Sequence, residues 1–180
     1  RSTSLPIVYL VRHPCAVVAS LLRGQSEGLM PSGRASVIKQ FLIDNAPNLH
    51  ATYGERVEEM TAAEHEALLW RWGIEHAYGD TRQPREGVRL TFYENVCREP
   101  ETEVRGILAL LGLPMHQQVH DFIEASCSPD ARGLNEIGTN RYFSVFRDPR
   151  DSMEKWKSQL DEDTQHAILE IVSDSPMFAW

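Results

Sequence analysis

The sequence predicts an α/β domain in which helices flank a parallel β-sheet. Two apolar segments with the character of strands, residues 6–11 and 88–93, are separated by segments with helical periodicity. Strands that alternate with helices are typical of a parallel sheet. The length of 180 residues and the hydrophobic content of 42% indicate one globular domain with its own core. We therefore expect residues 1–180 to form a single domain.

The first predicted strand, residues 6–11 (PIVYLV), is an almost continuous apolar run rich in β-branched residues. Such runs are typical of strands that are buried on both faces. Pro14 suits the first turn of a helix, where its missing N–H has no partner to lose, and Gly24 ends that helix. Residues 24–33 are rich in glycine and serine and predict a loop, which a short helix over 35–44 follows.

The middle of the chain contains a helix-start signal and the second strand. Residues 46–56 are predicted to be irregular. The sequence Thr-Ala-Ala-Glu at 61–64 is a capping box, and it opens a helix that continues to about Tyr78. A turn over 79–87 leads to the strand at 88–93 (VRLTFY).

Two further helices are predicted after the second strand. Pro100 starts one of them, and Gly112 ends it as a C-terminal cap. The next helix is expected over residues 115–125. Its inward face is predicted to comprise Val119, Phe122 and Ile123.

The last third of the chain is predicted to be a long loop followed by helix. Residues 128–149 show little periodicity, and long loops in compact domains are often functional. Residues 152–172 are predicted to be helical, with Asp161 as a break or cap. Because two strands are too few for a stable open sheet, we expect the domain to be incomplete at the N-terminus, with further strands before Arg1.

Composition excludes several classes of function. A net charge of −8 argues against a nucleic-acid-binding protein. No run of eighteen apolar residues is present, so no membrane span is predicted. The three cysteines show no metal-type spacing and favour free thiols, although one disulfide plus one thiol is also compatible with the count. Free thiols favour the cytoplasm over a secretory-pathway lumen, but no targeting signal indicates the compartment.

Arg12 is the first candidate functional residue, because it directly follows the first strand. Ligands of open parallel sheets bind at the carboxyl ends of strands, beside helix N-termini that favour anions. The guanidinium of Arg12 matches the oxygens of a phosphate monoester, and Ser20, two turns into the next helix, offers a hydroxyl group. The alternative is an ion pair between Arg12 and an Asp or Glu of the core, and the residue types alone do not separate the two.

Four segments of the chain resemble, in order, segments of one enzyme family, the sulfotransferases that use 3′-phosphoadenosine 5′-phosphosulfate (PAPS). They are VYLVRHPCAVVAS at 8–20, LLWRWGIEHA at 68–77, VRLTFYENVCREPETEVRGILALLGLP at 88–114 and MEKWKSQLDEDTQHAILEIV at 153–172. Four segments in the right order are more specific than any one of them. The resemblance covers nearly all of the chain and corresponds to the C-terminal part of the family's domain. It implies a three-layer architecture similar to that of P-loop kinases.

The resemblance implies a role for six residues in binding PAPS. In the family, an Arg and a Ser eight positions apart bind the 3′-phosphate, and Arg12 and Ser20 match both. A tyrosine that lies against the adenine corresponds to Tyr93, and small hydroxyl residues near the purine correspond to Ser126. A loop brings a second basic residue to the 3′-phosphate, for which Arg147 and Arg150 are both candidates. The chain departs from the family here, with Asp-Pro-Arg-Asp where many members have Arg-Lys-Gly.

The resemblance also implies which parts of a sulfotransferase to expect elsewhere. The loop that holds the 5′-phosphosulfate and the catalytic base of the family precede the segment around Arg12, so the catalytic residue is unknown and expected before Arg1. The complete enzyme would transfer a sulfuryl group from PAPS to a hydroxyl or amine of a small-molecule, carbohydrate or tyrosyl acceptor, without a metal. None of the seven histidines has a local motif typical of a base.

Two alternative functions remain open at this point. The sequence YLVRH at 9–13 also resembles the start of histidine phosphatases, in which His13 would accept the phosphoryl group, but Pro14 replaces the glycine expected there. The chain is also compatible with a non-catalytic nucleotide-binding or interaction module derived from the same fold.

Overall fold

The structure is a computed structural model that describes residues 5–78, 87–127, 149–175 and 177–178. In chain order the described elements are β1 (Ile7–Val11), α1 (Pro14–Ser26), α2 (Ala35–Asn45), α3 (Pro47–Tyr53), α4 (Ala62–Tyr78), β2 (Val88–Phe92), α5 (Tyr93–Arg98), α6 (Pro100–Leu110), α7 (Gln117–Cys127), α8 (Pro149–Glu154), α9 (Trp156–Gln159) and α10 (Glu162–Ser173). The part of the chain that is described is therefore mixed α/β and mostly helical.

The chain divides into two compact units. The first comprises Arg1–His13 and Pro84–Lys155, and the second comprises Pro14–Gln83 and Trp156–Trp180. Among the described residues, the first unit contains both strands with α5 to α8, and the second contains the other helices. The single domain over 1–180 and the three-layer architecture stay predictions.

The first unit is built on a two-stranded parallel sheet. β1 pairs with β2 in a register that places Ile7 opposite Val88 and Val11 opposite Phe92. The predicted parallel pairing of these strands is thus confirmed. α5 follows β2 without a loop, and α6 packs against both α5 and β2.

Burial of β1 was predicted wrongly. The side chains of Ile7 and Leu10 are 49% and 57% exposed, and only Val11 is buried. The continuous apolar run correctly predicted a strand. Burial of a strand on both faces also requires other elements to cover both faces of the sheet, and the described residues do not cover β1 in this way. Phe122, predicted to face inward from α7, is likewise 57% exposed.

The second unit has an apolar core between helices. α4 packs against α1 and α10 in the middle of this unit. The largest fully buried hydrophobic side chains of these helices and their connections are Val18, Leu42, Val57, Leu68, Ile74, Ile168 and Val172. Apolar residues at helical spacing thus bury a common face, as the periodicity predicted.

Local signals located several helix ends correctly, although α1 continues past Gly24, its predicted end, to Ser26. The capping box before α4 is present, because the Thr61 N–H donates to Glu64 Oε2 at 2.7 Å and the Glu64 N–H donates to Thr61 Oγ1 at 3.3 Å. Gly112 ends the α6 segment with a positive φ of 66°, a conformation that glycine adopts readily. Asp161 is the N-cap of α10, as predicted.

The sequence analysis did not predict the short helices α3 and α5. α3 lies within the segment 46–56 that was predicted to be irregular, and it begins with Pro47 in its first turn. The second strand ends at Phe92, one residue earlier than predicted, because Tyr93 begins α5. The long loop predicted over 128–149 falls almost wholly outside the described residues.

Candidate anion-binding site

The register of the sheet brings Arg12 and Tyr93 to one edge. Val11 and Phe92 are opposite each other in the parallel pairing, and they are the last residues of β1 and β2. The next residue on each strand, Arg12 and Tyr93, therefore leaves the sheet at the same carboxyl end. Sequence reasoning selected both residues, and the structure places their side chains in contact.

Two of the groups that the Arg12 guanidinium contacts are neutral. Its Nη2 donates a hydrogen bond to the main-chain carbonyl of Ser152 at 2.6 Å. Its Cζ lies 4.5 Å from the centroid of the Tyr93 ring, which is the geometry of a cation–π contact. Arg12 and Tyr93 are both half-buried.

The main chain next to Arg12 is fixed by Glu94. The N–H of His13 donates to Glu94 Oε1 at 3.0 Å, which ties the end of β1 to the first turn of α5. The carboxylate of Glu94 is therefore engaged by a backbone amide. Sequence reasoning quoted the Tyr-Glu pair after the second strand, but it gave Glu94 no role.

The phenol of Tyr93 is anchored at its hydroxyl end. Burial raises the pKa of Tyr93, and the neighbouring Cys97 thiol and its hydrogen bond raise the pKa further. A hydrogen bond with the Ser152 side chain and the charge on Arg12 act in the opposite direction. Since the net effect raises the pKa above 10.0, Tyr93 presents a neutral ring to Arg12 at neutral pH.

Ser152 is the site residue that sequence reasoning missed. It is 8% exposed, and it contacts Arg12 through its carbonyl and Tyr93 through its side chain. The residue lies on α8, 140 positions from Arg12 along the chain, and it reaches the site because α8 packs against α5. No local pattern in the sequence signals such a tertiary contact.

The remaining predicted ligand residues are Ser20, Ser126, Arg147 and Arg150. Ser126 lies near the end of α7, where its hydroxyl donates to the Ile123 carbonyl at 3.4 Å. Ser20 lies on α1, in the second unit, and its predicted role stays a prediction. Arg147 lies outside the described residues, and of Arg150 only the position in α8 is described.

The cysteines of the chain are thiols. All three, Cys15, Cys97 and Cys127, are free, as the sequence favoured. Burial raises the pKa of Cys15 to about 11, and burial is also the main cause of a raised pKa at Cys97. Thiols with raised pKa values are poor nucleophiles at neutral pH, so the described chemistry does not favour cysteine catalysis.

One histidine of the described residues has a structural contact, and no metal-binding cluster is found among them. His65 is buried, with Nε2 2.7 Å from the Val57 carbonyl, and it belongs to the core of the second unit. Within the described ranges, no group of three or more His, Cys, Asp or Glu side chains is arranged to hold a metal ion. No helix in those ranges is long and apolar enough to cross a membrane.

Comparisons with known proteins give one solved structure. No protein-family model matches the chain, and no curated protein sequence matches it. The chain is similar to a sulfotransferase domain from the curacin biosynthetic pathway, with a TM-score of 0.45 and 15% sequence identity. The match covers 92% of this chain and 52% of the other, so the chain spans about half the length of that structure.

Proposed function

We propose that this chain contributes the 3′-phosphate-binding part of a sulfotransferase that uses PAPS as the sulfuryl donor. The observation that carries the proposal is the position of Arg12, a half-buried cation at the carboxyl end of β1. That edge of a parallel sheet is where anionic ligands bind in open α/β folds. The four ordered segments that resemble PAPS-dependent sulfotransferases support the same ligand.

The geometry of Arg12 is compatible with a phosphate ligand. Two of its contacts are with a main-chain carbonyl and an aromatic ring, and the adjacent carboxylate of Glu94 accepts a hydrogen bond from the His13 amide. A guanidinium carries five N–H donors, so it can bind a carbonyl oxygen and a phosphate at the same time. The planar arrangement of these donors matches two phosphate oxygens.

The use of PAPS as the sulfuryl donor determines the reaction proposed for the complete protein. A base would deprotonate the acceptor hydroxyl or amine, which attacks sulfur as the bond to the bridging phosphate oxygen breaks. Adenosine 3′,5′-bisphosphate leaves, and cations stabilise the charge that develops on it. Arg12 binds the donor through its 3′-phosphate and takes no part in the bond changes, so it is a binding residue in this proposal.

The test is binding of adenosine 3′,5′-bisphosphate to the chain and to two arginine variants. We expect Arg12→Ala to weaken binding about tenfold or more, because a charge-assisted hydrogen bond contributes roughly 1.5–3 kcal/mol. Arg105→Ala is the matched control, since the Arg105 side chain is 59% exposed and pairs with Glu101 within α6. Isothermal titration calorimetry measures both. Equal affinities of the wild-type chain and Arg12→Ala would contradict the proposal.

A phosphatase assay separates the proposal from the histidine phosphatase alternative. In that alternative the His13 ring would accept the phosphoryl group, whereas the hydrogen bond from His13 to Glu94 is made by its backbone amide. We expect no hydrolysis of p-nitrophenyl phosphate by the wild-type chain. Turnover that disappears in His13→Ala would replace the sulfotransferase proposal with the phosphatase.

A further inference from the structure

The contacts of Tyr93 differ from those expected of a purine-stacking residue. The resemblance implied that this tyrosine lies against adenine, but one face of its ring is covered by the Arg12 guanidinium, whose Cζ is 4.5 Å from the ring centroid. The ring belongs to the first residue of α5, where the backbone is held in a helix directly after β2. Tyr93 is therefore placed against the anion-binding side chain itself.

Arg12, Tyr93 and Ser152 contact one another. Arg12 contacts the Tyr93 ring and the Ser152 carbonyl, and the Ser152 side chain interacts with the Tyr93 hydroxyl, as does the thiol of Cys97. Ser152 is 8% exposed, so this support is almost fully removed from solvent. The Tyr93 ring lies against one face of the Arg12 guanidinium, and the Ser152 carbonyl accepts a hydrogen bond from its Nη2.

We infer that Tyr93 is a positioning residue, which together with Ser152 holds the Arg12 guanidinium in the orientation that binds the ligand phosphate. The inference rests on the proposed function, because it concerns the same phosphate. Arginine side chains lose considerable rotamer entropy when they are fixed in one orientation. A side chain that is already fixed in the free protein loses less of this entropy on binding, which increases affinity.

Two ligands distinguish a positioning role from purine stacking. Adenosine 3′,5′-bisphosphate carries both the phosphate and the base, whereas ribose 3-phosphate carries the phosphate alone. If Tyr93 acts through Arg12, Tyr93→Leu weakens both ligands by the same factor, about tenfold, within the range of a partly buried cation–π contact. A loss confined to adenosine 3′,5′-bisphosphate would show that Tyr93 stacks on the purine, and would overturn the inference while leaving the proposed function intact.

Matched variants separate the ring from its hydroxyl group. Tyr93→Phe keeps the aromatic face beside Arg12, so it should restore affinity to within about threefold of the wild-type chain for both ligands. Ser152→Ala keeps the main-chain carbonyl and removes only the side-chain hydrogen bond with Tyr93, so a similarly small effect is expected. A loss in Tyr93→Phe as large as in Tyr93→Leu would contradict the role assigned to the ring.

A double-variant cycle tests whether Tyr93 acts through Arg12. Arg12→Ala combined with Tyr93→Leu should bind ribose 3-phosphate no more weakly than Arg12→Ala alone, because the residue to be positioned is absent. A further tenfold loss in the double variant would overturn the inference. Urea unfolding checks that each variant is folded, and Tyr93→Met replaces Tyr93→Leu if the latter does not fold. A wild-type chain that binds neither ligand would overturn the proposed function and the inference together.

Discussion

Two arginines of this chain, Arg12 and Arg71, each donate to a main-chain carbonyl near a helix. Arg71 donates to the Ile171 carbonyl at 2.7 Å and pairs with Glu75 at 2.8 Å, and its side chain is 12% exposed. It links α4 to the last turn of α10, where carbonyl groups have no partner within their own helix. Arg71 therefore stabilises the packing of α4 against α10 within the second unit, whereas Arg12 lies at a sheet edge suited to a ligand.

The structural role of Arg71 gives a prediction for stability. Arg71→Met keeps much of the apolar stem but removes the charged hydrogen bond to Ile171, so we expect the free energy of unfolding to fall by about 1.5–3 kcal/mol. Urea denaturation measures the change.

The control for Arg71→Met is Arg105→Met, which removes an exposed i,i+4 ion pair with Glu101. Such pairs contribute only about 0.3–0.5 kcal/mol, so its midpoint should barely move. If the two variants lost equal stability, Arg71 would not be a structural link.

Prediction from sequence was most successful where one short segment determines the outcome. The capping box at Thr61 and Glu64, the helix end at Gly112 and the cap at Asp161 each depend on neighbouring residues, and each is present in the structure. The position of Arg12 directly after β1 was also predicted, but its contact with Tyr93 was not, since the resemblance placed that tyrosine against adenine. Ser152 could not be anticipated, because its contact joins residues 140 positions apart.

The helices that were predicted wrongly depend on packing rather than on local sequence. α3 lacks a side-chain cap bond and has only seven residues, yet Leu49 and Tyr53 are buried in the second unit. Burial of these two side chains stabilises a helix that propensity alone does not mark. Conversely, α7 shows apolar periodicity, but its Phe122 is exposed.

At the start of α10, the cap formed by Asp161 gives a prediction for pH dependence. The Thr164 N–H donates to Asp161 Oδ1 at 2.7 Å, and this hydrogen bond lowers the pKa of Asp161 below 3.8. The pKa of Asp161 is lower in the folded state than in the unfolded state. The stabilisation of the fold by ionised Asp161 is therefore complete above pH 3.8 and is lost as the pH falls through the folded-state pKa. Asp161→Ala should therefore unfold at lower urea than the wild-type chain at pH 7, with the difference shrinking below pH 3.8.

Two variants separate the charge of Asp161 from its hydrogen bond. Asp161→Asn keeps an acceptor oxygen at the cap, and should retain more stability than Asp161→Ala at pH 7. Asp163→Asn removes a charge from the same helical turn but leaves the Asp161 cap in place. A wild-type minus Asp161→Ala difference that stays constant through the acid range would contradict the role of the ionised cap.

For the chain as a whole, a net charge of −8 opposes the binding of anions in general. Binding of a bisphosphate nucleotide therefore requires a local cation held at a defined place. The edge formed by the ends of β1 and β2, with Arg12 supported by Tyr93 and Ser152, is such a place. The proposed function depends on this local arrangement rather than on the overall charge.

Recognition of a ribose 3′-phosphate by Arg12 is the central claim, and a comparison of two nucleotides tests it most directly. Calorimetric titration of the wild-type chain and Arg12→Ala with adenosine 3′,5′-bisphosphate and with adenosine 5′-monophosphate isolates the 3′-phosphate. We predict that the wild-type chain prefers the bisphosphate by about tenfold or more, and that Arg12→Ala binds both nucleotides with similar, weak affinity. Equal binding of the two nucleotides by the wild-type chain, or an unchanged preference in Arg12→Ala, would contradict the account.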